Sequence, residues 1–183
     1  MTVEGSKKVI RYVEGIGLVK MEVLVPEEEV KRRQAEAEQK IEELYEKFYE
    51  RLGDIWAVDI YFKEGDMEFM IHDADGGIEL QIENYKDDTT FYVTLDTNKK
   101  CGYIWRRTID KGDELKKIDI DKFEEFLDAF LTINDIADKV VMSKKELFDL
   151  ISSFRYELLE KRREDPFEAL EIALRKVFGG EGA

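Results

Sequence analysis

The residues best suited to chemistry stand together in one short string, His72-Asp73-Ala74-Asp75-Gly76-Gly77. An imidazole and two carboxylates beside a glycine turn resemble a donor set for a divalent cation. The spacing does not make an EF-hand loop beginning at Asp73, because position six would be Ile78 and position twelve Asn84. A strand end followed by a turn explains the same residues, with Asp and Gly as ordinary turn formers. His72, Asp73 and Asp75 are thus a metal candidate for which the turn reading is preferred, and neither a metal nor a cofactor is expected.

A second group is carboxylate-rich. Asp59, Glu68, Glu79 and Glu83 fall at alternate positions of successive β-rich runs, which places them with Tyr92 on one face of a sheet. Convergent carboxylates can serve a metal-dependent acidic site, but a solvated polar face is built from the same residues. With one histidine and one cysteine, the usual nucleophile and base arrangements are thinly supplied. No Gly-rich phosphate loop follows a strand and opens a helix. The sequence leans away from an enzyme.

Charge separates the remaining function classes. The formal net charge is −14, and residues 54–98 carry only Lys63 and Lys86 against 12 acids. Asp87 and Asp88 add to that excess at a turn. The next stretch holds Lys99, Lys100, Arg106 and Arg107 with Tyr103 and Trp105, a mixture of cations and aromatics that also occurs on single-strand nucleic-acid surfaces. Neutralisation of the adjoining acidic strands explains these cations, and the surrounding field repels phosphate. Direct nucleic-acid binding is therefore not expected.

The elements that must position these groups follow from hydrophobic period. Five runs, Ile55–Phe62, Met67–His72, Ile78–Glu83, Thr90–Leu95 and Cys101–Arg107, alternate apolar and polar residues and are joined by short turns. They predict an antiparallel meander over 54–107, dry on one face and polar on the other. Trp56, Val58, Ile60, Phe69, Leu80 and Phe91 belong to the dry face, and Tyr103 and Trp105 are assigned to it as well. Before the meander, Lys8–Val13 and Leu18–Val25 flank Glu14-Gly15-Ile16-Gly17 and predict a hairpin over 7–25.

Pro26 opens a helix over 27–52, with Glu27–Lys31 and Glu29–Arg33 among its pairs four residues apart and Gly53 as its stop. Its apolar stripe is thin around Val30 and Ala37 and dense from Ile41 to Leu52. About 26 helical residues span about 39 Å, against about 26 Å for an eight-residue strand, so the first turns project beyond a sheet they lie along. The region 114–180 reads as helical. Asp121, Ser143 and Asp165 each precede a Glu by three residues, Pro166 stands at a first helical position, and Gly179 and Gly180 stop the last helix.

The expected fold is α+β: a single domain over 1–183, with a mostly antiparallel meander and an N-terminal hairpin, packed on one face by the long helix and C-terminal helices. Glu, Lys and Arg abound while Asn and Gln are scarce, a thermophile-like and archaeal-like composition. Cys101 cannot form an intramolecular disulfide, and neither a secretory signal nor an apolar run of about 20 residues is present, so a cytoplasmic location is expected. The function read first is non-enzymatic binding or regulation, with an acidic sheet surface presented to a basic protein partner. Asp59, Glu68, Glu79, Glu83, Asp87, Asp88 and Tyr92 are its contact candidates. One alternative is a small enzyme or ligand-binding fold, its pocket lined by Trp56, Phe91 and Trp105 between sheet and C-terminal helices. The other is a homodimer assembled through the helix at 27–52.

Overall fold

The computed structural model describes residues 6–179. Its contacts group into two compact units, Met1–Glu42 and Glu43–Ala183. In the first unit, β1 (Ser6–Val13) and β2 (Gly17–Leu24) form an antiparallel hairpin, paired from Ser6↔Leu24 to Val13↔Gly17. The connecting turn closes with the Ile16 N–H donating to the Val13 carbonyl at 3.0 Å, and Gly15 and Gly17 take φ of +83° and +92°. Those angles lie in the region that glycine alone enters without strain.

Helix α1 (Glu27–Leu52) begins where the sequence places it. The Pro26 carbonyl accepts from the N–H groups of Glu29 and Val30, and Glu27 pairs with Lys31 at 2.7 Å. Val30 and Ala37 are half-buried, whereas Leu44, Phe48 and Leu52 in the later turns are buried. Gly53, at φ +68°, ends the helix.

The second unit holds six antiparallel strands in sequence order: β3 (Ala57–Phe62), β4 (Met67–Ala74), β5 (Gly77–Asn84), β6 (Thr89–Asp96), β7 (Cys101–Thr108) and β8 (Gly112–Ile118). The meander thus has one strand more than the five predicted. β8 reads as part of the helical region because Asp113, Glu114, Lys116 and Lys117 give it little β propensity. Pairing with β7 overrides that preference, and a charged outer edge discourages further strand addition. At the other edge β3 starts at Ala57, two residues later than predicted, and Trp56, assigned to the dry face, is exposed.

α2 (Ile120–Lys139) and α3 (Lys144–Leu159) pack on one face of this sheet, α4 (Pro166–Phe178) packs on α2 and α3, and the final turns of α1 meet α2, where Lys47 lies 3.1 Å from Asp128. The fold is α+β. Asp119 caps α2, accepting from the Lys122 N–H at 2.8 Å, so this helix starts two residues earlier than the Asp121 frame predicts. Ser143 and Glu146 form the expected capping box of α3, and Asp165 caps α4 ahead of Pro166. Gly179 closes α4; Gly180 lies outside the described residues.

Between the layers the interior is filled by aromatics. Phe130 stacks on Phe69 at 5.1 Å and meets Phe154 edge-on at 5.7 Å, while Phe91 lies 5.8 Å from Phe126. Burial of a large apolar side chain contributes roughly 1.5–3 kcal/mol, so this row is a principal source of stability. The packing is close enough that a Cβ on Gly77 would fall 1.5 Å from the Leu95 carbonyl oxygen.

Candidate sheet-face site

Strand alternation and register set the outer face of the sheet, the side away from α2, α3 and α4. Its middle row runs Asp59, Met70, Gln81, Tyr92, Trp105, Leu115. One flanking row runs Tyr61, Glu68, Glu83, Thr90, Arg107, Asp113, and the other Ala57, His72, Glu79, Thr94, Tyr103, Lys117. An apolar and aromatic stripe thus crosses the strands with acidic groups on both sides. Tyr92 and Trp105 meet edge-on at 6.4 Å, and Leu115 at the β8 edge is 70% exposed.

Trp105 and Tyr103 lie on this outer face, where the sequence reading had placed them inward. The alternation Gly102-Tyr103-Ile104-Trp105-Arg106 fits either phase, and two tertiary features select the one observed. A Cβ on Gly102 would lie 2.8 Å from Ile118 Cγ1 and 3.3 Å from the Cβ of Phe123, so position 102 sits where Ile118 and α2 together leave no room for a side chain. Position 106 offers partners for a guanidinium: Arg106 Nε donates to the Leu158 carbonyl at 3.0 Å, Glu114 lies 3.7 Å from Nη1, and the group sits over the Phe91 ring. Arg106 is consequently buried, and burial, with Arg162 nearby, lowers its pKa.

The carboxylates of the outer face are held by tyrosines and by one another. Glu68 and Glu83 stand directly opposite across β4 and β5, where like charges repel. Asp59 is displaced upward from the usual carboxylate range by burial and then by the neighbouring Glu68. The Tyr85 hydroxyl donates to Glu68, and Gln81 Nε2 donates to Glu83 at 2.7 Å. Glu79 lies 2.9 Å from His72 Nε2, and the Tyr92 pKa is raised by burial of that ring and then by its hydrogen bond to Glu79. Tyr85 is raised as well, chiefly by its bond to Glu68. Among the described residues, no Lys or Arg pairs with Asp59, Glu68, Glu79 or Glu83.

The other sequence candidates are dispersed. Asp87 lies 3.7 Å from Arg155, and Asp88 lies 3.1 Å from Arg107, so both turn acids have cations at hand and stand apart from the outer-face cluster. Lys99 pairs with Asp96 at 3.5 Å and covers the Tyr103 ring, while Arg106 is internal. The four cations Lys99, Lys100, Arg106 and Arg107 therefore do not make one basic surface. His72 and Asp73 point to opposite faces of β4, and Asp73 accepts from the Tyr49 hydroxyl. Its charge contributes, after burial, to pushing Tyr45 up to about 12. Asp75 is an exposed turn residue, and no group of three metal-donor side chains gathers among the described residues.

The predicted aromatic pocket is also taken apart: Trp56 is exposed, Trp105 lies outside, and Phe91 is in the filled core. A depression of about 390 Å³ occurs elsewhere, between β8 and the start of α2, lined by Lys116, Lys117, Asp121, Lys122, Glu125 and Glu164 among others. Its charges pair locally, as in Lys116 with Glu164 and Lys122 with Glu125. No helix among the described residues is long and apolar enough to cross a membrane. No protein-family model, curated protein or solved structure matches the chain.

Proposed function

We propose that this protein acts by binding, and that the outer face of its six-stranded sheet receives a basic segment of a protein partner. The observation that supports this is the set Asp59, Glu68, Glu79 and Glu83, which crowds like charge on one face with no Lys or Arg partner among the described residues. A sheet built for stability alone avoids opposed carboxylates, since like charges about 5 Å apart in water repel by about 0.8 kcal/mol. Cations from a partner would relieve that repulsion, and the stripe of Met70, Tyr92, Trp105 and Leu115 would bury aliphatic stems of Lys or Arg beneath them. The interaction is then steered by charge and weakened by salt.

Trp105 supplies an intrinsic probe. In a Trp56→Phe background, titration with a synthetic Lys- and Arg-rich peptide is expected to change Trp105 fluorescence, with affinity falling steeply as salt is raised. Glu79→Gln together with Glu83→Gln is expected to reduce affinity at least tenfold, whereas Asp87→Asn together with Asp88→Asn leaves it nearly unchanged. Equal effects of the two pairs, or no salt dependence, would show that the outer face is not the binding surface.

A further inference from the structure

The hairpin carries its own unpartnered surface. Register places Ile10, Tyr12, Leu18 and Leu24 on one of its faces with Lys8, Lys20 and Glu22, and those four apolar side chains are 61%, 73%, 77% and 77% exposed. A two-stranded hairpin is marginal by itself in water, and a contiguous exposed apolar patch marks a contact surface. The hairpin is also the cationic part of an acidic chain: residues 7–24 contain Lys7, Lys8, Arg11 and Lys20 against Glu14 and Glu22.

We propose that the β1–β2 hairpin of one copy docks, through the face bearing Ile10, Tyr12, Leu18 and Lys20, on the outer sheet face of a second copy. This rests on the reading of the outer face as the binding surface and names an occupant for it. Charge selects the pairing, because a hairpin with four cations and two acids meets the face that bears Asp59, Glu68, Glu79 and Glu83, whereas hairpin against hairpin would join surfaces of like sign. The apolar groups correspond too, with Ile10, Tyr12 and Leu18 opposite the stripe of Met70, Tyr92, Trp105 and Leu115.

Dimensions agree. An eight-residue strand spans about 27 Å, and the middle row crosses five inter-strand gaps of about 4.8 Å, or about 24 Å, so a hairpin laid across the strands covers the row. Reciprocal exchange of hairpins closes the assembly about a two-fold axis and leaves no unsatisfied copy. Two such contacts, each about 27 Å by 10 Å and counted on both partners, bury about 1,100 Å², near the lower bound for a specific interface.

The test uses the full chain in a mixed-label sample. A nitroxide attached at Glu14→Cys in the exposed hairpin turn is carried by unlabelled copies, which are mixed with 15N-labelled wild type. Cys101, the one native cysteine, is buried and does not compete for the label. Broadening in the 15N copies at Met70, Gln81, Tyr92 and the Trp105 indole is expected, with light scattering giving twice the 21.5 kDa chain mass. Glu68→Gln with Glu83→Gln is expected to weaken the dimer at least tenfold.

Broadening seen only in a second sample, in which the spin-labelled chain is itself 15N-labelled and diluted with unlabelled wild type, would mean that each hairpin occupies its own sheet. Broadening at the hairpin of the 15N copy would mean strand-to-strand pairing, and a monomer without broadening would mean no self-association. Any of these three overturns the proposal. Retained binding of the basic peptide in the same sample would then leave the functional reading standing, and its loss would remove both.

Discussion

Glu68 sits where two repulsions meet, directly opposite Glu83 and diagonal to Asp59, so Glu68→Gln should make the protein more stable while making it a poorer binder. Two unit charges about 5 Å apart in water repel by about 0.8 kcal/mol, the same order as the roughly 0.2–1 kcal/mol that a favourable cross-strand pair contributes. The glutamine keeps an oxygen to accept from the Tyr85 hydroxyl, so that bond is preserved. For a chain of this size a gain of about 1 kcal/mol raises Tm by about 2–4 °C. Thermal unfolding at low salt and pH 7 should show that rise. In about 1 M salt, where the screening length is about 3 Å, most of it should disappear.

The same substitution has a pH signature. Because the folded-state pKa of Asp59 is raised, the native protein holds more protons than the unfolded chain between about pH 3.9 and the raised value, and stability falls as pH rises through that window. Removing the Glu68 charge leaves only the burial contribution, so the slope should become shallower. Basic-peptide affinity should drop in parallel. A variant that is neutral or less stable at low salt, with binding intact, would refute the claim that this face sacrifices stability for recognition.

Other expectations concern the scaffold and the acid limb. Phe130→Ala empties the space between Phe69 and Phe154 and should cost about 3–5 kcal/mol, read from denaturant midpoints at unchanged m. Glu157 is buried in α3, and although burial raises its pKa, Arg163 at 2.6 Å and Lys176 at 2.9 Å outweigh that and hold it below the usual range. Its contribution is therefore present above the unfolded carboxylate value near pH 4.3 and is lost as pH falls through the lower folded value. Glu157→Gln should destabilise by about 1–3 kcal/mol at pH 7 and by progressively less in acid, as followed by circular dichroism.

Much of the fold was legible because local signals and tertiary packing agree in most elements. The hairpin glycines, the Pro26 start and Gly53 stop of α1, the alternation in β4 to β6, and the caps at Ser143 and Asp165 each have a local cause that survives in the structure. β8 was not legible, since its charged residues carry little β propensity and only pairing with β7 makes it a strand. The phase of β7 was hidden for a related reason. Its alternation is symmetric in hydrophobicity, and the deciding contacts, Ile118 and α2 against Gly102 and the α3 carbonyl of Leu158 against Arg106, come from residues 16 to 52 positions away.

That phase also decides what the candidate site is. Side-chain alternation was enough to put Asp59, Glu68, Glu79, Glu83 and Tyr92 on one face, but with Trp105 assigned inward the face was acidic and nothing more. Turning β7 over adds an aromatic middle row to the acids and takes Arg106 into the core, while Arg107 comes to the outer face and pairs with Asp88. The same register withdraws Asp87 and Asp88, because Arg107 now emerges at the outer face beside Asp88 and Arg155 reaches Asp87. Charge and apolar area thereby concentrate on β3 to β7 together, and that combination fits a partner segment in which cations and apolar side chains alternate better than one that is merely basic.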